Sequence, residues 1–269
     1  MATKRLNQHT AAYAKWKKQT QDTFDFSVLV CSAVPTLKRN LKLYEKGIIE
    51  TLTKPDHYGP AGELTKEHND RSLPQLRQKA DGYKEKLSRY ILISNFSFFE
   101  SYVKDVVDEM VAFHGGPEQF AQSAMTRAST INSTRTSELD EACRKLRGQT
   151  NPKNKQRSAN ATKELKEMGY VFPTDLFSSY GISAFLRSFG NMFAKDIPSI
   201  LKDGLHMPFR DDEVLEFHNI RDARNTIAHG NSITVDLTKV TEMCKFLRTI
   251  ALRLDQHILR NYMISEKYR

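Results

Sequence analysis

Three cysteines are all that this chain of 269 residues carries, and Cys31, Cys143 and Cys244 stand far apart. An odd, scattered set fits neither a disulfide framework nor a cysteine-based zinc site, and it predicts a reducing, cytoplasmic compartment. Glycine is scarce too, with 12 residues and no cluster that would cradle phosphates, which argues against nucleotide-binding α/β enzymes. Glycine and proline together make up less than a tenth of the chain, excluding collagen-like and low-complexity classes. Long apolar runs are missing, so no transmembrane helix is expected. The first residues, Met1 to His9, are polar and lack the apolar core of a secretion signal.

What is present is a hydrophobic share of 39%, including 15 Phe and 10 Tyr, enough to build a core. At about 150 residues per domain, the length allows one large domain or a domain with an extension. Forty-one basic residues against 32 acidic ones leave a net charge of +9 and a pI near 9.3. That excess favours an anionic partner, nucleic acid first.

Apolar spacing predicts helices throughout. Tyr13, Trp16, Phe24, Val28, Cys31 and Val34 recur at steps near three and four, Pro35 interrupts or bends the run, and Leu37, Leu41, Tyr44, Ile48 and Leu52 resume it. Two helices, or one kinked helix, are expected. Pro55, Gly59, Pro60, Gly62 and Pro74 mark residues 54–77 as a linker. From Lys79 a long helix is predicted through Leu87, Ile91, Phe98, Phe99, Tyr102, Val106 and Met110, ending at His114-Gly115-Gly116-Pro117.

Residues 121–170 hold ten basic and five acidic side chains, so over half of the excess charge falls in under a fifth of the chain. This basic insertion, which includes Arg144, Lys145 and Arg147, is either a solvated loop between short helices or an arm that contacts RNA. Further helices are predicted over 182–201, from Asp211-Asp212-Glu213 to a stop at His229-Gly230, and from Asp236 onward through Val240, Met243, Leu247, Ile250, Leu254 and Ile258. Apolar/polar alternation with hairpin turns is absent, so the expected fold is all-α.

Signatures of strongly marked enzymes are missing: no G-x-S-x-G elbow, no Walker-type loop, no kinase motif. The eight histidines are scattered and none pairs with another His or a Cys at a ligand spacing, so neither a metal nor a cofactor is expected. One cluster remains, Arg221-Asp222-Ala223-Arg224-Asn225-Thr226-Ile227-Ala228-His229-Gly230. Arginine matches phosphate oxygens with its fork of donors, and histidine moves protons near neutral pH. Metal-free RNA cleavage needs those parts: a base for the 2′-hydroxyl, an acid for the leaving 5′-oxygen and a cation for the phosphorane. The same residues also have an ordinary explanation, a His and a Gly ending a helix.

Arg224-Asn225-Thr226-Ile227-Ala228-His229 resembles the R-x4-6-H motif of HEPN domains, and Ser97-Phe98-Phe99-Glu100-Ser101-Tyr102-Val103-Lys104-Asp105 is similar to the first core helix of the RiboL-PSP branch. The pattern covers residues 79–262. The resemblance implies an up-and-down helical bundle over 79–269, preceded by a helical N-terminal extension over 1–78, which has no counterpart in it. It implies a homodimer whose two motifs face each other across the axis. On an ideal helix Arg224 and His229 would point about 140° apart, so the helix must end between them or two chains must share the site.

The implied activity is metal-independent endoribonuclease action, in a toxin or antiphage (abortive infection) effector. His229 would transfer protons, Arg224 bind phosphate, Asn225 orient the site or bind substrate, and Glu100 hold Arg224 or His229 in place. Arg221 would add either a phosphate contact or a salt bridge to Asp222 or Glu216. The implied partners are an RNA substrate, a second copy of the chain and an antitoxin or sensor protein, with no membrane. The alternative is a non-catalytic helical module that binds RNA or a partner protein. Where family members neutralised by a nucleotidyltransferase carry a Tyr two positions after the His, this chain has Asn231, which sets it apart from that branch.

Overall fold

The computed structural model describes residues 9–52, 57–58, 64–65, 72–113, 115–116, 118–119, 193–205, 207–230 and 234–262. The basic insertion at 121–170 and the first part of the helix expected over 182–201 lie outside them. The fold is all-α, and the described residues form five main helices: α1 (Ala11–Glu45), α2 (Ser72–Asp81), α3 (Tyr83–Phe113), α4 (Asp211–Ala228) and α5 (Leu237–Asn261). Between α1 and α2, His57 pairs with Thr65 and Tyr58 with Leu64 in a two-residue antiparallel ladder.

α1 begins where the Thr10 hydroxyl accepts the Tyr13 N–H, and it continues past Pro35 as a single helix. The missing proline N–H costs one bond to the preceding turn, but the turns on either side are held by neighbours. Cys31 reaches Tyr83 of α3 and Leu41 is buried. α1 runs antiparallel to α3: Ala11 and Ala12 donate their N–H groups to Glu109, Lys15 pairs with Asp105 and Trp16 stacks against Tyr102.

The expected linker ends sooner than its prolines suggest. α2 starts at Ser72 with Pro74 in its first turn, where a proline removes an N–H that has no helical partner anyway. Gly82 separates α2 from α3. The end of α3 follows from Gly115 and Gly116, both at positive φ: their N–H groups bond Ala112 and Val111 at 3.0 Å, closing a Schellman motif that a Cβ would strain.

Behind these helices comes a short irregular stretch, a 3-10 turn (Ala194–Asp196), one α turn (Ile197–Ser199) and a π turn (Ile200–Gly204). It buries Ile197, Leu201 and Leu205, and the Leu205 carbonyl accepts from the Tyr262 hydroxyl at 2.9 Å. Burial holds the His257 imidazole, 2.7 Å from the same carbonyl, below its ordinary pKa.

α4 opens on Asp211, Asp212 and Glu213, and the Glu213 carboxylate accepts the Arg210 N–H at 3.0 Å while also pairing with Arg253 of α5. α5 is capped by Asp236, which accepts the Lys239 N–H at 2.7 Å. Its buried stripe, Val240, Met243, Leu247, Ile250, Leu254 and Ile258, follows the predicted spacing. One continuous core joins α1, α3, α4 and α5, with Tyr13, Trp16 and Tyr102 at one side and Phe96, Phe99 and Phe217 at the other. No helix among the described residues is long and apolar enough to cross a membrane.

Candidate functional site

The site forms where α4 crosses α3. Phe96 and Phe99 are fully buried on α3, and Phe217 of α4 packs on both, with ring centroids 5.6 and 6.0 Å away. That aromatic seam fixes the two helices side by side. Seven residues on from Phe217, two helical turns, Arg224 therefore returns to the same face and meets Glu100.

The Arg224 guanidinium lies 5.5 Å above the Phe96 ring centroid. Its Nη2 donates to Glu100 Oε2 at 3.0 Å and its Nη1 to Asn225 Oδ1 at 2.9 Å, while Nε is buried with no hydrogen-bond partner. Both charged side chains keep about a quarter of their surface, 25% for Arg224 and 24% for Glu100. Burial pushes the Glu100 carboxyl above its usual pKa, and the Arg224 charge recovers only part of that shift. The arginine is thus aimed by one carboxylate, one amide and one ring, and its two terminal nitrogens carry more N–H groups than these two bonds use.

Asn225 spends its amide oxygen on Arg224, so its two amide N–H donors carry no bond among the described residues. α4 stops immediately before His229, whose backbone N–H bonds the Asn225 carbonyl at 2.9 Å; Gly230 follows at φ 80° and bonds Ile227 at 3.0 Å. The His229 side chain is exposed and bonds none of Arg224, Asn225 or Glu100. Arg221 donates to Asp222 Oδ1 through Nε and Nη2 at 2.9 and 2.7 Å.

The structure therefore brings Arg224, Asn225 and Glu100 together and leaves His229 presented at the helix end. Arg144, Lys145 and Arg147 lie outside the described residues. Sequence reasoning missed Phe96, although its place four residues before Glu100 sets it on the same helical face. Among the described residues no group of three His, Cys, Asp or Glu side chains is placed to hold a metal ion.

The RiboL-PSP-HEPN family model matches residues 63–260, a span that includes both Glu100 and the Arg224–His229 segment. No curated protein and no solved structure matches the chain.

Proposed function

Because the chain belongs to the RiboL-PSP-HEPN family, we propose that it is a metal-independent endoribonuclease. The observation that carries this reading is the aimed Arg224, held 3.0 Å from Glu100 at the start of a segment whose other end presents, at a helix cap, an imidazole with no partner among the described residues. Arg224 binds the scissile phosphate through the N–H groups that Glu100 and Asn225 leave over, and it stabilises the charge that builds on the phosphorane.

In the reaction, the 2′-hydroxyl attacks the adjacent phosphorus, the bond to the 5′-oxygen breaks, and a 2′,3′-cyclic phosphate and a free 5′-hydroxyl result. An imidazole takes the 2′-hydroxyl proton and an imidazolium returns one to the 5′-oxygen. One His229 cannot hold both states at once, so we assign the two roles to two copies of His229 in a homodimer with a composite site. Asn225 contributes amide donors to the substrate, and Glu100 keeps the arginine in place. Arg221 and the insertion residues Arg144, Lys145 and Arg147 would guide the RNA backbone. The biological setting we infer is a toxin or antiphage effector.

The competing reading, a module that binds RNA or protein without cleaving, draws on a specific observation: both terminal nitrogens of Arg224 already bond within the chain. Incubation of mixed-sequence RNA with the protein in EDTA, beside His229→Ala, separates the two. Cleavage to cyclic-phosphate ends that disappears in the variant supports the enzyme. Salt-dependent binding without cleavage supports the module, and cleavage undiminished in the variant refutes the assigned role of His229.

A further inference from the structure

Far from the Thr10 end of α1, the last turns of that helix and α2 enclose an open cleft of about 440 Å3. Lys38, Arg39 and Lys42 line it from α1 and Arg77 and Asp81 from α2, above an apolar floor of Pro35 and Leu41. A second hollow of about 520 Å3, lined also by Glu45, Leu73 and Pro74, shares Arg77 and Asp81 with it.

The charges do not balance. Arg77 pairs with Glu45, and Lys38 donates to Asp81 at 2.5 Å. Arg39 and Lys42 are exposed and form no ion pair or side-chain hydrogen bond among the described residues. The Lys38 hydrogen bond, and after it the nearby charges of Lys38, Arg77 and Lys42, hold the Asp81 carboxyl below its usual pKa. Lys42 sits in the last turn of α1, where the helix dipole favours its positive charge. Four cations and one carboxylate thus line a concavity in the size range of small-molecule sites, with Glu45 pairing to Arg77 from outside it.

We propose that this cleft is a binding site for a phosphate-bearing ligand of nucleotide size, with its phosphates on Arg39, Lys42 and Arg77 and its apolar part against Pro35. Asp81 does not need to move, because Arg39 and Lys42 hold no ion pair among the described residues. Arginine supplies a bidentate fork and lysine a point charge, the two donor types that phosphate oxygens accept. The cleft is independent of the nuclease reading: Glu100 lies seventeen residues along α3 from Tyr83, roughly 25 Å away at the helical rise.

Calorimetric titration of the full chain with ADP, with inorganic phosphate and with an uncleavable 2′-O-methyl oligoribonucleotide tests it. ADP should saturate one site per chain, more tightly than inorganic phosphate. Arg39→Glu combined with Lys42→Glu should weaken ADP at least tenfold, and Arg224→Ala should leave it unchanged. Arg39→Gln with Lys42→Gln, which perturbs folding less, should weaken it at least threefold. Heat without saturation, equal affinity in wild type and both double variants, or loss of the oligonucleotide with ADP unaffected would each overturn the proposal.

Discussion

Glu100 and Arg224 stand 124 residues apart in the chain and 3.0 Å apart in space, and the carboxylate of that pair is costlier to ionise than a free glutamate. The arginine's attraction is smaller than the cost of taking the carboxylate out of water. A raised folded-state pKa means that the folded chain binds the proton more tightly than the unfolded one, so this group's contribution to stability is present at low pH and is lost as pH rises through the raised value. Against a Glu100→Gln reference, wild-type stability should therefore fall as pH climbs from the ordinary glutamate value of about 4.3 upward. Urea midpoints of both proteins across that window check it; a difference that grows in favour of wild type with rising pH would contradict the assignment.

Arg224→Ala and His229→Ala should differ in stability while agreeing in activity. Removing Arg224 leaves a half-buried carboxylate unpaired, at a cost of about 1–3 kcal/mol. Removing the exposed His229 imidazole should change stability by less than about 0.5 kcal/mol. Metal-free cleavage should drop at least ~100-fold in both, the usual scale for a lost acid–base or phosphate-binding group. Unfolding curves measured beside cleavage rates resolve the pair, and an unfolded His229→Ala would count against its place outside the core.

Phe217→Ala should cost about 3–5 kcal/mol, since the ring is fully buried against Phe96 and Phe99 and nothing nearby can collapse into its place. Because the same seam aligns Arg224 with Glu100, conservative Phe217→Leu should reduce cleavage more than it reduces stability. Equal losses would show that the seam is merely structural.

Pro35→Ala should stabilise the chain by about 1–3 kcal/mol, because it restores an N–H to the middle of α1 at an exposed position. A melting temperature that falls would mean that the proline ring itself makes contacts worth more than the missing bond.

Much of this fold is local and so could be read from spacing. The α5 stripe, the acidic start of α4 and the Gly115-Gly116 stop all depend on neighbours within a turn or two. The end of α4 at His229-Gly230 was visible for the same reason. One reading failed where a residue's position outweighed its type, since Pro74 opens a helix instead of breaking one; at Pro35, of the two arrangements expected, the chain takes the single helix. The platform of Phe96 under Arg224 and the fully buried Asp255 depend on contacts across the whole chain. Asp255 accepts from the Thr10 N–H at 3.0 Å and the Thr10 hydroxyl at 2.6 Å, with His9 Nδ1 at 2.7 Å, and no local pattern announces such a pairing.

Thr10→Val should test that pairing. Losing the hydroxyl removes a helix cap worth about 1 kcal/mol and one of the donors to a buried carboxylate, for a total near 2–3 kcal/mol. Hydrogen exchange should then speed up in the first turns of α1 before it does in α5. Uniform exchange across both helices would show that the packing of α1 on α3 holds it without the clasp.

The clasp also sets an order of events during synthesis. Thr10 emerges from the ribosome 245 residues ahead of the carboxylate that receives it. Until α5 is made, the Thr10 N–H and hydroxyl lack the carboxylate that receives them. The body of α1 can pack on α3 once Phe113 is made, whereas the Thr10–Asp255 clasp waits for α5, so the start of the helix is fastened later than its flank.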